Sequence, residues 1–239
     1  MWRNQPVSVV LPTYNERDSI RHTIEEFWET GYVDEVIVVN NNAVAGTSEE
    51  VRRTKAIEVF EPRQGYGVAI QRGLKECQGY YVVISEPDGT FLATDTLKLL
   101  AYTPEFDFVV GSRSTRELIW TGANMGTFLR LGNYAAAKLF EVLFNTITLT
   151  DVGCTMRLIT RPSLKKIEPY FRATGNTFGL EMLLLAQTHG VPFIQIPVNY
   201  KRRVGRSAVT GVPHKTFTLG LQMIAAILSC RIRSLKARG

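Results

Sequence analysis

The stretch Val7-Ser-Val-Val-Leu-Pro-Thr-Tyr-Asn-Glu16 decides the architecture: an apolar, β-branched run breaks abruptly into a polar turn. Val7 to Leu11 has the length and composition of a buried strand. A helical stretch follows from about Arg17 to Thr30 and stops at Gly31. The phrase then repeats. Glu35 to Val39 is a second strand signal ending in Asn40-Asn-Asn42, and Thr47-Ser-Glu-Glu50 has the form of a capping box. Ile57 to Phe60, Tyr80 to Ile84 and Phe106 to Val110 continue the series, with helices near Val68 to Cys77 and Asp95 to Tyr102. Strands separated by helical crossovers predict an α/β fold with a mostly parallel, Rossmann-like sheet flanked by helices. Such sheets bind ligands at the carboxyl ends of their strands, so the residues that follow each strand are the place to look for function.

The second half reads differently. A long helical pattern runs from about Asn124 to Phe144, a loop carries Asp151 to Arg157, and a further helix spans roughly Phe178 to His189. A strand signal at Phe193 to Tyr200 leads into Lys201-Arg-Arg-Val-Gly-Arg206. The last apolar stretch, Phe217 to Cys230, falls short of the ~20 apolar residues a bilayer span requires, and Arg231, Arg233, Lys236 and Arg238 follow it. Phe217, Leu221, Ile224 and Leu228 fall on one helical face, which suits either an anionic membrane surface or the protein's own core. The expected division is a catalytic body over residues 1–210 and a basic, amphipathic, membrane-proximal segment over 211–239.

Charge supports that division. The chain of 239 residues carries a net +6. Nine Lys or Arg residues and no acid lie from Lys201 to Gly239, against 19 basic and 22 acidic residues before it. A basic segment on a near-neutral body implies a phosphate-bearing partner. Nucleic acid is the disfavoured one, because the tail lacks the interleaved aromatics of a stacking platform. Three scattered cysteines with no CxxC pair suggest neither a disulfide framework nor a zinc site. With no signal peptide in evidence, the expected location is membrane-associated on the cytoplasmic face.

Three strand ends carry polar motifs: Pro12-Thr-Tyr-Asn-Glu16, Asn40-Asn-Asn42 and Ser85-Glu-Pro-Asp-Gly-Thr90. Glu86 and Asp88, two residues apart at a strand end, can share one hard divalent cation with a diphosphate. A cation there would neutralise the charge that builds on a departing nucleoside diphosphate. The turn Arg63-Gln-Gly-Tyr-Gly67 opens a helix and could bring backbone N–H groups to a phosphate.

Taken in order, VSVVLPTYNE, the NNN strand end, RQGYGVAIQRGL, SEPDGT, VVGSR, LRLGNY, LTDVGCTMRL and YKRRVGRS resemble the family 2 glycosyltransferases of GT-A fold, most nearly the dolichyl-phosphate mannose synthase-like branch. The resemblance covers about Val7 to Ser207. It implies an inverting hexosyltransferase that uses manganese or magnesium and a nucleotide-sugar, with GDP-mannose ahead of UDP-glucose. The implied acceptor is a polyprenyl or dolichyl phosphate, the alternative being a lipid-linked glycan. It also implies that Pro12, Tyr14, Glu16 and Asn40 line the nucleotide site, with which Asn42, Gln64 and Gly65 are grouped. Glu86 and Asp88 take the metal positions, and Arg113, Arg130, Arg203 and Ser207 handle donor or acceptor phosphates. Three departures from the family pattern stand out: Asn40 and Asn41 where aspartates are usual, Glu86 for the first metal aspartate, and Ala208 where the branch often has lysine. They leave a non-catalytic nucleotide-sugar-binding protein as a lesser alternative. Asp151 has two readings: orienting Arg157 through a charge-assisted hydrogen bond, or deprotonating an acceptor hydroxyl as general base.

Overall fold

The computed structural model describes residues 1–123, 126–205 and 213–236. Seven strands form one sheet: β1 (Val7–Thr13), β2 (Glu35–Asn40), β3 (Ile57–Phe60), β4 (Tyr81–Ile84), β5 (Phe108–Ser112), β6 (Arg157–Thr160) and β7 (Phe193–Pro197). Their order is β3-β2-β1-β4-β6-β5-β7. All neighbours are parallel except β6, which runs antiparallel to both β4 and β5. Among the described residues the α-helices are α1 (Arg17–Glu29), α2 (Thr47–Arg52), α3 (Tyr66–Glu76), α4 (Thr96–Ala101), α5 (Thr127–Phe144), α6 (Arg161–Ile167), α7 (Phe178–Thr188) and α8 (Pro213–Lys236).

Strand side chains alternate between two cores, as the pleat requires. Val10, Val82, Ile84, Phe108 and Val110 face α3 and the later helices, while Val7, Val9, Leu11, Val83 and Val109 face α1 and α4. Both faces are covered, so the central strands are apolar throughout rather than alternating with polar residues.

Two elements escape the sequence reading. β6 and α6 begin where the expected Asp151–Arg157 loop ends and occupy a stretch for which the sequence predicts no element, because Arg157-Leu-Ile-Thr160 is four residues long and begins with a charge. Arg157 is nonetheless 2% exposed.

The C-terminal helix is doubly apolar. Met223 and Ile227 are buried in the core, with Leu219, Ala226 and Cys230 packed against it. Phe217, Leu221, Ile224 and Leu228 form a separate outer stripe that Ile232 and Leu235 extend, all exposed. The stripe singled out in the sequence is therefore not the one packed in the core, although its Phe217, Leu221 and Ile224 border a cavity against the strand ends. No helix among the described residues is long and apolar enough to cross a membrane.

Candidate active site

The carboxyl ends of β1 and β4 open onto a cavity of about 540 Å³. One wall is polar and built from strand-end loops, including Pro12, Tyr14, Glu16, Glu86 and Arg203; the opposite wall is α5 and α8, including Ala136, Leu221 and Ile224.

The first polar group is a cluster of three carboxylates around one guanidinium. Arg203 contacts Asp88 and lies 3.4 Å from Glu86 and 3.9 Å from Glu16. Its position is set by backbone: Lys201 N–H donates to Thr90 O at 2.7 Å and Val204 N–H to Asp88 O at 2.9 Å. Asn199 fastens the start of this segment through its amide, 3.0 Å from Asp95 Oδ1. On the other side, Ser19 Oγ donates to Pro87 O at 2.7 Å, tying the acidic loop to α1. Glu16 folds back to accept from the N–H groups of Tyr14 and Asn15, both at 2.8 Å.

Asp88 is fully buried, where a strand-end loop acid would be expected in water. Its Oδ1 accepts from Thr90 N–H and Oγ1–H. Its Oδ2 touches the Arg203 guanidinium but accepts no aligned hydrogen bond. Burial, reinforced by the neighbouring Asp88 charge and only partly offset by Arg203, pushes the Glu86 carboxyl up to about 8. The Asp88 oxygen is met by the Arg203 guanidinium alone, beside an acid held partly protonated; these are hard oxygen donors of the kind a divalent cation takes, although the described residues gather no set of three or more free ligands.

The second polar group is a closed pair. Asp151, 1% exposed, receives Arg113 Nε at 2.8 Å and Nη2 at 3.0 Å, together with the N–H groups of Arg113 and Gly153. Both of its oxygens are engaged, and despite burial the Arg113 charge holds its carboxyl below the usual range. Arg113, not Arg157, is thus the partner of Asp151. The turn after β5 brings the Arg113 backbone and side chain to one carboxylate, whereas Arg157 points to the carbonyls of Gly179 and Cys154.

The other predicted residues distribute unevenly. Pro12, Tyr14, Glu16, Gln64, Glu86, Arg113 and Arg203 line the cavity. Asn40 and Asn42 are not among its lining: the Asn40 amide donates to Ser48 and Glu58, and Asn42 donates to Pro62 O and Gln64. The residue between them, Asn41, does line it. Asn41 donates to the carbonyls of Glu61 and Arg63 and accepts from Gln64 and Gly65, locking the 61–65 loop. The Gly65 N–H is consequently engaged rather than free for a phosphate. Gly65 itself sits at φ +155°, where an added Cβ would come within 2.5 Å of Thr174 O, so the tight turn demands glycine. Arg130 is exposed near the start of α5, one turn before the buried Asn133, and is not part of the lining. Ser207 lies outside the described residues.

Glycosyl transferase family 2 matches residues 8–168. Glycosyltransferase AglJ of Haloferax volcanii is 28% identical over 201 residues, covering 82% of this chain and 63% of the relative. The low-salt glycan biosynthesis hexosyltransferase Agl6 of the same organism is 25% identical, covering 87% and 50%. The chain thus spans between half and two thirds of these archaeal relatives. Among solved structures, glucosyl-3-phosphoglycerate synthase from Mycobacterium tuberculosis, in complex with Mn2+, UDP and phosphoglyceric acid, superposes with a TM-score of 0.74 at 19% identity, covering 95% of this chain and 79% of that one. That likeness establishes the shared GT-A fold, and with the family match over most of its length the chain belongs to glycosyl transferase family 2.

Proposed function

We propose that the protein transfers a hexosyl group from a nucleoside diphosphate-sugar to an anionic, lipid-linked acceptor at a membrane surface, as in the dolichyl-phosphate mannose synthase-like branch. The observation that carries this reading is the cavity itself. An acidic cluster, of which Glu16 and Glu86 line the cavity beside Arg203, faces an apolar wall formed by two helices that also carry exposed apolar residues, Val142 on α5 and Leu228, Ile232 and Leu235 on α8.

Glu86 and Asp88 are the residues that would hold manganese or magnesium, with Glu16 beside them. When bound, the cation supplies charge neutralisation for the departing diphosphate. The protein's own part is positional. Pro12, Tyr14, Asn41 and Gln64 bound the nucleotide end, and Arg203 is placed to hold an anionic acceptor. An acceptor phosphate oxygen forms the new bond to the anomeric carbon as the bond to the diphosphate breaks, inverting the centre and releasing the nucleoside diphosphate. Asp151 supports this choice of acceptor. Both of its oxygens are occupied and its carboxyl is held low, which makes it a poor general base and a good support for Arg113. A phosphate acceptor, already anionic, needs no such base.

GDP-mannose is the favoured donor. UDP-glucose belongs in any test because Mn2+ and UDP-glucose are bound by the mycobacterial synthase that shares this fold. Residues 1–210 would be the catalytic body and 211–239 its membrane-proximal edge. The exposed Leu228, Ile232 and Leu235 of α8 would lie on the cytoplasmic face of the membrane with Arg231 and Arg233 at anionic headgroups.

The test is sugar transfer from each donor to polyprenyl phosphate in vesicles, with Mn2+, Mg2+ or chelator. Transfer should require the cation and the lipid phosphate, and chelator-resistant transfer would overturn the reading. Replacing Arg231 and Arg233 by Gln should weaken anionic-vesicle binding by about 1 kcal/mol per charge. Equal wild-type binding to neutral and anionic vesicles would remove the electrostatic part.

A further inference from the structure

Behind the main cavity lies a small recess of about 20 Å³, and four residues, Tyr66, Gly153, Thr155 and Asn176, line both spaces. A space of this size admits one water-sized group, for which roughly 10–15 Å³ suffices. Its walls are largely apolar, with Ile70, Ile84, Phe178 and Met182 among them, and two hydroxyls in them are unmet. Tyr66 Oη and Thr155 Oγ1 are buried without an aligned hydrogen-bond partner, although close enough to influence each other.

At the back stands Arg157, 2% exposed. Its Nη1 donates to Gly179 O at 2.6 Å and its Nη2 to Cys154 O, and no carboxylate pairs with it among the described residues. A guanidinium carries five N–H donors, so this one retains donors beyond those two bonds. The chain is shaped around it: a Cβ on Gly179 would come within 2.7 Å of Nη2. The recess also adjoins the acidic cluster. Burial, with the Glu86 and Asp88 charges adding to it, raises the Tyr66 phenol well above its ordinary range.

We propose that Tyr66, Thr155 and Arg157 form the subsite that receives one hydroxyl of the transferred sugar. The inference rests on the nucleotide-sugar reading given above. A sugar hydroxyl donates one hydrogen bond and accepts others, and the recess offers a guanidinium donor and two hydroxyls able to act either way. A phosphate is too large for the space, and a methylene would leave the two hydroxyls unmet. The hydroxyl arrives attached to a ring already held in the main cavity, beside the carboxylates that face the diphosphate. A donor whose hydroxyl points elsewhere leaves the buried groups without partners, which is how a site built for a hydroxyl discriminates strongly. Tyr66, Thr155 and Arg157 are therefore specificity-determining residues for the sugar and indifferent to the nucleotide.

The experiment is calorimetric titration of the full chain with GDP, GDP-mannose, UDP and UDP-glucose in the presence of Mn2+, comparing wild type with Tyr66→Phe and Thr155→Val. Tyr66→Phe removes only the hydroxyl, and Thr155→Val replaces it with a methyl group of similar size. Each should leave nucleoside diphosphate affinity within about twofold, which also verifies the fold. Each should lower nucleotide-sugar affinity about tenfold, the consequence of leaving buried partners unpaired. Variants that keep the wild-type ratio of sugar-nucleotide to nucleotide affinity would overturn the subsite, leaving the recess to ordered water. Wild-type protein that binds none of the four would instead overturn the donor reading on which the subsite depends.

Discussion

Two arginine–carboxylate groups line the same cavity and are built to opposite ends. Around Asp151, one carboxylate meets one guanidinium and two backbone N–H groups, every oxygen is engaged, and the carboxyl is held low. Around Arg203, one guanidinium is shared among Glu16, Glu86 and Asp88, an oxygen of Asp88 has no aligned donor, and the Glu86 carboxyl is pushed up to about 8. The first group is electrostatically complete without a ligand and the second is not. Charge count alone separates a closed pair from a cluster with carboxylates in excess, although the residue types are nearly the same.

The largest effect expected from that difference is on stability. Asp151→Ala leaves Arg113 buried and unpaired, and losing one partner of such a pair costs about 3–5 kcal/mol. Denaturant unfolding should show a loss of this size, and a change below about 1 kcal/mol would erase the distinction drawn here.

The next effect is on metal binding. Asp88→Asn keeps an acceptor for Thr90 but removes the charge. Because loss of a mere outer-shell partner already costs 10–100-fold in metal affinity, loss of a ligand should cost at least about 100-fold. Titration with Mn2+ would read this directly, and near-normal affinity would withdraw Asp88 from the metal site.

The smallest effect is in the pH dependence, where the two groups should differ in sign. Asp151 is depressed, so its contribution is present above the usual carboxylate value and is lost only in acid. Glu86 is raised from 4.5 to about 8, so its folded form binds a proton that the unfolded chain has released. Its contribution is present below about 4.5 and fades as pH rises toward about 8. Ligand-free melting temperature should therefore decline across that window, and Glu86→Gln should flatten the decline. Stabilisation by Mn2+ should grow across the same window, since the cation displaces that proton. A wild-type profile unchanged by Glu86→Gln would sharpen the contrast differently, leaving Asp88 alone as the charge-deficient member.

How much of this was legible in the chain varies residue by residue. Glu86 and Asp88 were readable because both sit directly after a strand whose end must face the ligand crevice. Asn40 and Asn42 were the natural choices in Asn40-Asn-Asn42, yet alternation at the strand end brings Asn41 to the cavity and turns Asn40 toward Ser48 and Glu58. The pairing of Asp151 with Arg113 spans 38 residues and no local pattern announces it. The recess beside Arg157 was invisible, because an arginine following Cys-Thr-Met gives no sign that it is fully buried.

Sequence by itself determined the mostly parallel α/β sheet, the strand ends that open onto the cavity and the basic close of the chain. These depend on periodicity, turn chemistry and charge, which are local and written in consecutive residues. Tertiary structure alone decided which carboxylates are complete and which are deficient, that Arg203 lies across the acidic loop, and that α8 has an inner as well as an outer apolar face. Those outcomes depend on distances between residues far apart in the chain and on exclusion from water, and both exist only after the sheet and its helices have packed.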